Sequence, residues 1–347
     1  MKITWQEGRV LPTLIKGGAL GMVDGEPVYA AGCTYPWRET EQAWYFERRR
    51  GDWFPVEPSL PLGRAYTHGV TLKDGLLVLG GRKTPYAAEA EEGSVGRRSL
   101  VDAWWLRRQE GRFAWTRLPD MNYPRALPSI GVAGDKILAF GGGEWERSQG
   151  GAFATRHLTH YEILDLNDLA AGWRDMGQLP FTPLVGSAWA SVGDSTYIFG
   201  GYECWTENNQ RRLRRDGSAW RYDFGSDTWT PLAGFPGTGS GWAAVPYRHT
   251  IFILGGGIHL NFHGTTIPYH TNYLVESGTS RQRLIGAYSD LVFAYEVESN
   301  SYHVLENRLP LGTNDLRCTI DDQTIYVAGG ETSDPPWSNC INTFLIG

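Results

Sequence analysis

The sequence lacks the features that mark a membrane or a secreted protein. None of its 347 residues lies in a run approaching the roughly 20 apolar residues that cross a bilayer. The opening segment, MKITWQEGRVLP, contains no apolar core of a secretory signal. We therefore expect no association with membranes and a cytoplasmic location, or a periplasmic or secreted one if a leader preceded Met1.

Basic charge and chemical motifs are also scarce. A formal net charge of −6 argues against nucleic-acid binding, which requires a basic surface. The four cysteines are scattered without a C-x-x-C pair, so we expect neither a structural zinc site nor a disulfide framework. Nucleophile elbows, P-loops and dinucleotide fingerprints are absent, and we predict no cofactor.

Glycine and tryptophan, by contrast, are abundant. Many of the glycines belong to one recurring phrase, a short apolar run that ends in two small residues. The phrase reads PVYAAG at residues 27–32, LLVLGG at 76–81, ILAFGG at 137–142, YIFGG at 197–201, IFILGG at 251–256 and IYVAGG at 325–330. A repeat at intervals of roughly 50 to 75 residues is typical of the four-stranded blades of a propeller.

Each phrase has similar neighbours along the chain. A strand of small residues lies shortly upstream, and we expect it to be innermost because bulky side chains would collide near a propeller axis. Downstream, aromatic pairs such as Tyr222 with Trp229 and Tyr295 with Tyr302 mark a third and a fourth strand. We predict that these rings, and most of the tryptophans, fill the wedges between blades rather than bind ligands.

The two ends of the chain complete one blade together. The last phrase is followed by only one further strand, at 341–347, and the N-terminal segment around Trp5 supplies the missing one. The sequence therefore predicts an all-β fold, a single six-bladed β-propeller domain over residues 1–347. Double glycines followed by an aromatic pair resemble the kelch repeat, which implies this fold and no particular chemistry.

The loops between the second and third strands are long, whereas those on the opposite face are mostly tight. This asymmetry favours the long-loop face as the binding face. The candidate ligand contacts stand at the mouths of the inner strands and just after the double glycines; they are Arg64, Tyr66, His68, Arg82, Arg125, Glu144, Tyr202, Glu203, His259, Asp315, Arg317 and Glu331. Arginines and carboxylates around a pocket suit a hydroxyl-rich, often anionic ligand, but pairing among themselves at the rim would explain them equally well.

Two of the long loops have unusual compositions. The blade-four loop, YECWTENNQRRLRRDGS, places Glu203 and Trp205 beside several arginines, and a carboxylate next to a cation can move protons on a sugar. The blade-five loop contains His259, His263 and His270, but the glycine and proline among them favour an irregular loop. We predict an ordered lid there rather than a metal site.

Among kelch proteins, the chain is most similar in layout to bacterial N-acetylneuraminate mutarotases. The shared features are six blades, a long insertion after the fifth double glycine, GRAYTHGV at 63–70 and GGET at 329–332. The resemblance implies that a glutamate after the blade-four glycines acts with a nearby arginine. By position these residues are Glu203 and Arg211, with Tyr202 between the glycines and Glu203.

Three functions remain open at this point. The first, which we favour, is a mutarotase or epimerase for a small sugar, sugar acid or oligosaccharide, with Glu203, Arg211 and His68 as catalytic residues. Its predicted substrate contacts are Arg64, Tyr66, Arg82, Glu144, Trp205, His259, Arg317 and Glu331. The second is a polysaccharide or uronate lyase with His68 or Tyr66 as its base, or a glycoside hydrolase. The third is a non-catalytic kelch module that binds a glycan or a protein.

Overall fold

A computed structural model describes residues 2–34, 38–83, 98–147, 153–207, 210–236, 239–258, 267–268, 287–332 and 339–347. Strands make up nearly all of the regular structure in these ranges, which also contain one 3₁₀ turn, Leu169–Ala171. No helix in the described part is long and apolar enough to cross a membrane. Six antiparallel sheets form the blades of a β-propeller, which confirms the predicted fold.

Each blade consists of four strands, counted here from the axis outwards. Blade one contains Ala19–Val23, Glu26–Thr34, Arg38–Glu47 and Asp52–Pro55, and blade two contains His68–Leu72, Gly75–Leu79, Ala103–Gln109 and Arg112–Leu118. Blade three contains Ser129–Ala133, Lys136–Phe140, His160–Asp165 and Arg174–Gln178, and blade four contains Ala188–Val192, Ser195–Phe199, Ala219–Asp223 and Thr228–Pro231. Blade five contains Gly239–Tyr247, Thr250–Ile258, Val292–Glu296 and Ser301–Val304, and blade six contains Arg317–Asp321, Thr324–Ala328, Phe344–Ile346 and Gln6–Glu7.

Shorter strands extend the blades on the long-loop face. They are Ile15–Lys16 beside Glu26–Thr34, Arg82–Lys83 with Arg98–Ser99, Gly143–Arg147 with Phe153–His157, Tyr202–Glu207 with Gln210–Arg215 and Ile267–Pro268, Ala287–Tyr288 beside Thr250–Ile258, and Glu331–Thr332 with Asn339–Cys340. Because Arg82–Lys83, Gly143–Arg147, Tyr202–Glu207 and Glu331–Thr332 each begin directly after a double glycine, they bring the residues that follow these glycines to one face of the ring.

The double glycines join each blade to the next. The second glycine of each pair adopts a left-handed φ between 72° and 123°, a conformation that side chains rarely tolerate. Its N–H donates to a carbonyl group of the following blade at all six junctions: Gly32 to Arg64 (2.8 Å), Gly81 to Arg125 (2.7 Å), Gly142 to Leu184 (3.3 Å), Gly201 to Gly239 (3.0 Å), Gly256 to Thr313 (2.8 Å) and Gly330 to Ile15 (2.9 Å). The recurring phrase of the sequence is therefore the joint between blades.

The aromatic pairs lie between the third and fourth strands, as predicted. The ring centroids of Tyr222 and Trp229 are 5.0 Å apart, and those of Tyr295 and Tyr302 are 4.9 Å apart. The ring closes as predicted, because Gln6–Glu7 pairs with Phe344–Ile346 and completes blade six. Trp5 packs against the apolar core shared by blades five and six.

The inner strands carry small residues only where neighbouring blades approach closely. A Cβ added to Gly69 would lie 2.6 Å from the Cβ of Ala19, so blades one and two leave no room for a larger residue there. Trp189 and Trp242 nevertheless line the axial channel. The expectation that bulky side chains are excluded from the axis does not hold at these two positions, because six blades leave an open channel that the indoles partly fill.

Candidate functional site

A ring of six left-handed residues surrounds the axis on the long-loop face. Five of them lie two residues before an inner strand and Gly241 lies near the start of one, all with φ between 53° and 73°. They are Gly17, Tyr66, Leu127, Gly186, Gly241 and Asp315, and we call this ring the axial mouth. Backbone hydrogen bonds tie the blades together here, from Leu127 N to Tyr66 O (2.7 Å) and from Asp315 N to Gly241 O (3.0 Å). Left-handed residues other than glycine cost about 1 kcal/mol or more and cluster at functional sites, which makes Tyr66 and Asp315 candidates for function.

A buried ion pair lies beside the mouth, between blades one and six. The ammonium of Lys16 donates to Glu331 Oε2, and their side chains are only 6% and 7% exposed. Glu331 Oε1 accepts from Tyr288 Oη at 3.1 Å and from Asn314 Nδ2 at 2.8 Å. Burial alone would lower the pKa of Lys16, but the neighbouring Tyr66, Glu331 and Asp315 raise that pKa well above its ordinary value. Lys16 therefore stays charged at neutral pH.

Tyr66 and Arg82 form the second part of the site, on blade two. The guanidinium carbon of buried Arg82 lies 4.0 Å from the centre of the Tyr66 ring, which is cation–π geometry. Burial raises the pKa of Tyr66, although the charges of Lys16 and Arg82 oppose this change. The phenol is therefore neutral at physiological pH and can donate a hydrogen bond to a ligand.

Asp315 has a carboxylate oxygen that no described residue satisfies. Its Oδ1 accepts from Arg317 Nη1 at 2.9 Å, whereas its Oδ2 is buried without a donor in the described part of the chain. The same is true of Asn314 Oδ1. Since a buried acceptor without a donor costs about 1–3 kcal/mol, each of these two oxygens calls for a donor that the described residues do not supply. We call Lys16, Tyr66, Arg82, Asp315 and Glu331 the mouth cluster.

Comparison with known proteins agrees with this fold. No protein-family model matches the chain. Kelch-like protein terF of Aspergillus terreus is 27% identical to it over 263 residues, which make up 74% of the chain and 52% of that protein. The chain is a kelch-type β-propeller. N-acetylneuraminate epimerase of Haemophilus influenzae is 25% identical over 184 residues, 49% of this chain and 47% of that protein. The kelch propeller thus spans about half the length of each relative, and it resembles N-acetylneuraminate epimerases.

The structure brings together only some of the predicted site residues of the kelch propeller. Tyr66, Arg82 and Glu331 belong to the mouth cluster. Arg64 does not, because it is fully buried and donates to both carboxylate oxygens of Asp102, at 2.7 and 2.8 Å. Arg64 also donates to the carbonyl of Gly80 at 3.1 Å, so its position favours a structural role at the joint between blades over the predicted contact with substrate.

Two further predicted contacts are held by other residues of the propeller. Arg317 donates to the carbonyl of Gly18 at 2.6 Å as well as to Asp315, so it holds the Asp315 carboxylate from the side of the axial channel. The carboxylate of Glu144 lies on the blade-three hairpin, 3.9 Å from the guanidinium of Arg156. Glu144 therefore lies near a cation at the rim, and Arg317 is held by Asp315 and the carbonyl of Gly18. Their contact with a substrate stays a prediction.

Glu203, the predicted catalytic acid, lies on the blade-four hairpin. Its carboxylate pairs with Arg214 at 2.7 Å, with both side chains partly exposed. The arginine expected from the resemblance was Arg211, but the hairpin register places Arg211 opposite Thr206 and Arg214 opposite Glu203. Arg214 is therefore the arginine that the fold brings to Glu203. The side chains of Trp205 and Arg211 lie outside the described residues, as does the whole of His259 with the rest of the predicted blade-five lid.

His68 lies below the mouth, at the top of the axial channel. Its Nδ1 donates to the carbonyl of Pro128, and its ring centroid is 5.8 Å from that of Trp189. Burial and the charge of Arg317 lower the pKa of His68 well below its ordinary value, although the bond to Pro128 opposes them. The imidazole is therefore neutral, with Nε2 as a hydrogen-bond acceptor.

Sequence reasoning missed Lys16, Tyr288 and Asn314. A signal for two of them was present, since Lys16 directly precedes Gly17 and Asn314 directly precedes Asp315, at matching positions of two blades. The left-handed residue that follows each of them marks the position, but its conformation is visible in the backbone of the structure and not in the sequence. Within the described residues, no group of three or more histidine, cysteine, aspartate or glutamate side chains is arranged to hold a metal ion.

Proposed function

We propose that this kelch propeller binds an anionic sugar at the axial mouth and catalyses its mutarotation or epimerisation. The mouth cluster carries the proposal, because it places two cations, two carboxylates and a neutral phenol together at one end of the axis. The similarity to N-acetylneuraminate epimerase supports a sugar acid as the class of substrate.

The binding chemistry follows from the charges of the mouth cluster. A sugar carboxylate is attracted to Lys16 and Arg82, and the guanidinium of Arg82 has the planar geometry that suits a carboxylate. The sugar hydroxyls are donors for Asp315 Oδ2 and Asn314 Oδ1, the two buried oxygens that no described residue satisfies. Both halves of an anionic sugar therefore have matching partners within the site.

Mutarotation requires a base to take the proton of the anomeric hydroxyl and an acid to protonate the ring oxygen. Asp315 Oδ2 is the candidate base, since its carboxylate is fixed through Oδ1 by Arg317 and Oδ2 has no donor among the described residues. Tyr66 and Lys16 are the candidate acids, because both are protonated at neutral pH. The roles are exchanged when the ring closes to the other anomer.

The test is anomeric exchange measured by NMR for N-acetylneuraminate and glucuronate, with wild-type protein and the variants Asp315→Asn and Glu203→Gln. We expect faster exchange with the wild type and at least a hundredfold loss with Asp315→Asn, as for other positioned acid–base groups. Full activity of Asp315→Asn together with loss in Glu203→Gln would refute the mouth as the site of chemistry and favour the Glu203–Arg214 pair. Formation of an unsaturated uronate would instead indicate a lyase.

A non-catalytic glycan-binding module is the second candidate. The observation that favours it is the pairing within the cluster, since both oxygens of Glu331 already accept hydrogen bonds from protein groups. Such a module would show saturable binding of the sugar acid, weakened by Asp315→Asn, with anomeric exchange at the rate of the uncatalysed reaction. Isothermal titration alongside the exchange measurement separates the two functions.

A further inference from the structure

The axial channel is a compartment separate from the mouth. It encloses about 180 Å³ between the inner strands, and none of the five residues of the mouth cluster lines it. On the long-loop side its lining ends at His68 and Arg317, and in the other direction it continues to Pro246 and Ile320 near the far ends of their strands. The channel is therefore reached from the face with the tight turns.

Arg317 and His68 form the partition between the two compartments. The guanidinium of Arg317 bridges blades six, one and two by donating to Asp315, Gly18 and Thr67, the last at 3.4 Å. The imidazole of His68 bridges blades two and three through the carbonyl of Pro128. Since both side chains are held by backbone carbonyls of neighbouring blades, the partition is part of the rigid ring.

The wall of the channel is mainly apolar. Val70, Val132, Trp189, Trp242, Val245 and Ile320 contribute to it. Its hydroxyl groups are already engaged: Ser191 Oγ contacts Thr196 Oγ1 at 2.9 Å, and Thr71 Oγ1 contacts Thr319 Oγ1 at 3.1 Å. No carboxylate lines the described wall, and the one cation, Arg317, is paired with Asp315. A charged ligand would be desolvated there without a counter-charge.

The imidazole of His68 contributes an acceptor to this mainly apolar wall, its Nε2 atom. Nδ1 contacts both the carbonyl of Pro128 and, at 3.4 Å, the Nε1 atom of Trp189. Because a carbonyl oxygen can only accept and its contact is much the shorter, Nδ1 carries the proton and Nε2 the lone pair. His68 is only 7% exposed, and its ring lies at the inner end of the channel. A hydroxyl group that reaches the end of the channel would therefore find an oriented acceptor beside the indole of Trp189.

We propose that the axial channel is a second ligand site, which takes a small uncharged molecule with an aromatic ring and one hydroxyl group, of the phenol class. An apolar protein cavity of about 150 Å³ holds a benzene ring, so the volume of the channel accommodates a phenol. The hydroxyl donates to His68 Nε2 while the ring contacts the valines and indoles of the wall. This inference uses no residue of the mouth cluster and does not depend on the proposed function.

The test is a ¹⁹F NMR titration with 4-fluorophenol, with fluorobenzene and 4-fluorobenzoate as comparisons. We expect saturable binding of 4-fluorophenol, binding of fluorobenzene weaker by about threefold to tenfold because the bond to His68 is lost, and no saturable binding of the benzoate. Saturating N-acetylneuraminate should not displace the phenol. Displacement by the sugar acid, preference for the benzoate or absence of saturation would overturn the proposal.

Two variants locate the site. Ala244→Leu adds bulk to the wall of the channel, and we expect it to weaken 4-fluorophenol binding at least tenfold. Val132→Phe adds bulk to the wall of another blade and serves if the first variant folds poorly. The matched control is Ala171→Leu, at an exposed position in the 3₁₀ turn, which should bind as the wild type does. Unchanged binding in both channel variants would place the phenol elsewhere and refute the inference.

Discussion

Replacement of Lys16 by methionine should destabilise the propeller strongly, because it leaves the Glu331 carboxylate buried without its counter-ion. Removing one partner of a buried ion pair costs about 3–5 kcal/mol. Glu331 keeps two neutral donors, Tyr288 and Asn314, so the lower end of that range applies, about 3 kcal/mol. The measurement is the free energy of unfolding from urea denaturation at pH 7.

Two variants test whether the charge is the cause. The double variant Lys16→Met/Glu331→Gln removes both charges of the pair and should regain about 2 kcal/mol of the loss, since a neutral amide tolerates burial better than a carboxylate without its counter-ion. Lys73→Met is the matched control, because Lys73 pairs with Asp135 at the surface and such pairs contribute about 0–1 kcal/mol. A loss with Lys16→Met no larger than that with Lys73→Met, or no recovery in the double variant, would refute the reasoning.

The same ion pair gives a pH dependence with a definite sign. The pKa of Lys16 is raised in the folded protein above its ordinary value of 10.5. The stabilisation by the lysine is therefore complete below about pH 10 and is lost as the pH rises through the folded pKa. We expect the stability difference between wild type and Lys16→Met to be constant from pH 7 to 10 and to shrink above that range.

Three further predictions concern other parts of the ring. Because the pKa of His68 is lowered in the folded state, the wild type should lose stability as the pH falls below 6.5, and His68→Phe should lose less between pH 7 and pH 5 in urea denaturation. Gly330→Ala should cost about 2 kcal/mol more than Gly111→Ala in thermal unfolding, because both glycines have left-handed φ but only at Gly330 would the new Cβ lie 2.7 Å from another side chain. Arg64→Met should destabilise the propeller by about 3 kcal/mol, since it leaves the carboxylate of Asp102 without its counter-ion. The affinity for the sugar acid should stay unchanged in calorimetry.

The fold could be predicted from the sequence because its determinants are local and repeated. Five double glycines and the Ala31–Gly32 pair mark six equivalent joints, each with a left-handed glycine in second place. The aromatic pairs such as Tyr222 with Trp229 mark the same wedge in successive blades. The closure of the ring could also be predicted, because the last phrase is followed by only one further strand and the blade needs a second one from the N-terminus. Repetition supplies several independent observations of each structural requirement, which a single motif does not.

The site was less predictable because it forms across blades that are distant in sequence. Lys16 and Glu331 are separated by 315 positions, and nothing near either residue in the chain indicates the other. Arg64 and Arg317 had the residue type and the position expected of ligand contacts, yet one is held by Asp102 and the other by backbone carbonyls. A buried arginine at a blade joint and one that binds substrate have the same sequence signature, and only their partners distinguish them.

The position of the mouth cluster also has a structural reason. Blade six receives its outer strand, Gln6–Glu7, from the N-terminus, and backbone hydrogen bonds from Gly8, Leu11 and Ile15 to Phe344, Asn342 and Ile341 extend this pairing along the chain. The bond from Gly330 to Ile15 and the ion pair of Lys16 with Glu331 cross the same junction, where the two ends of the chain meet. The charged groups that we propose as the binding site thus lie where the ring closes, so Lys16 and Glu331 both join the two ends of the fold and present polar atoms at its axis.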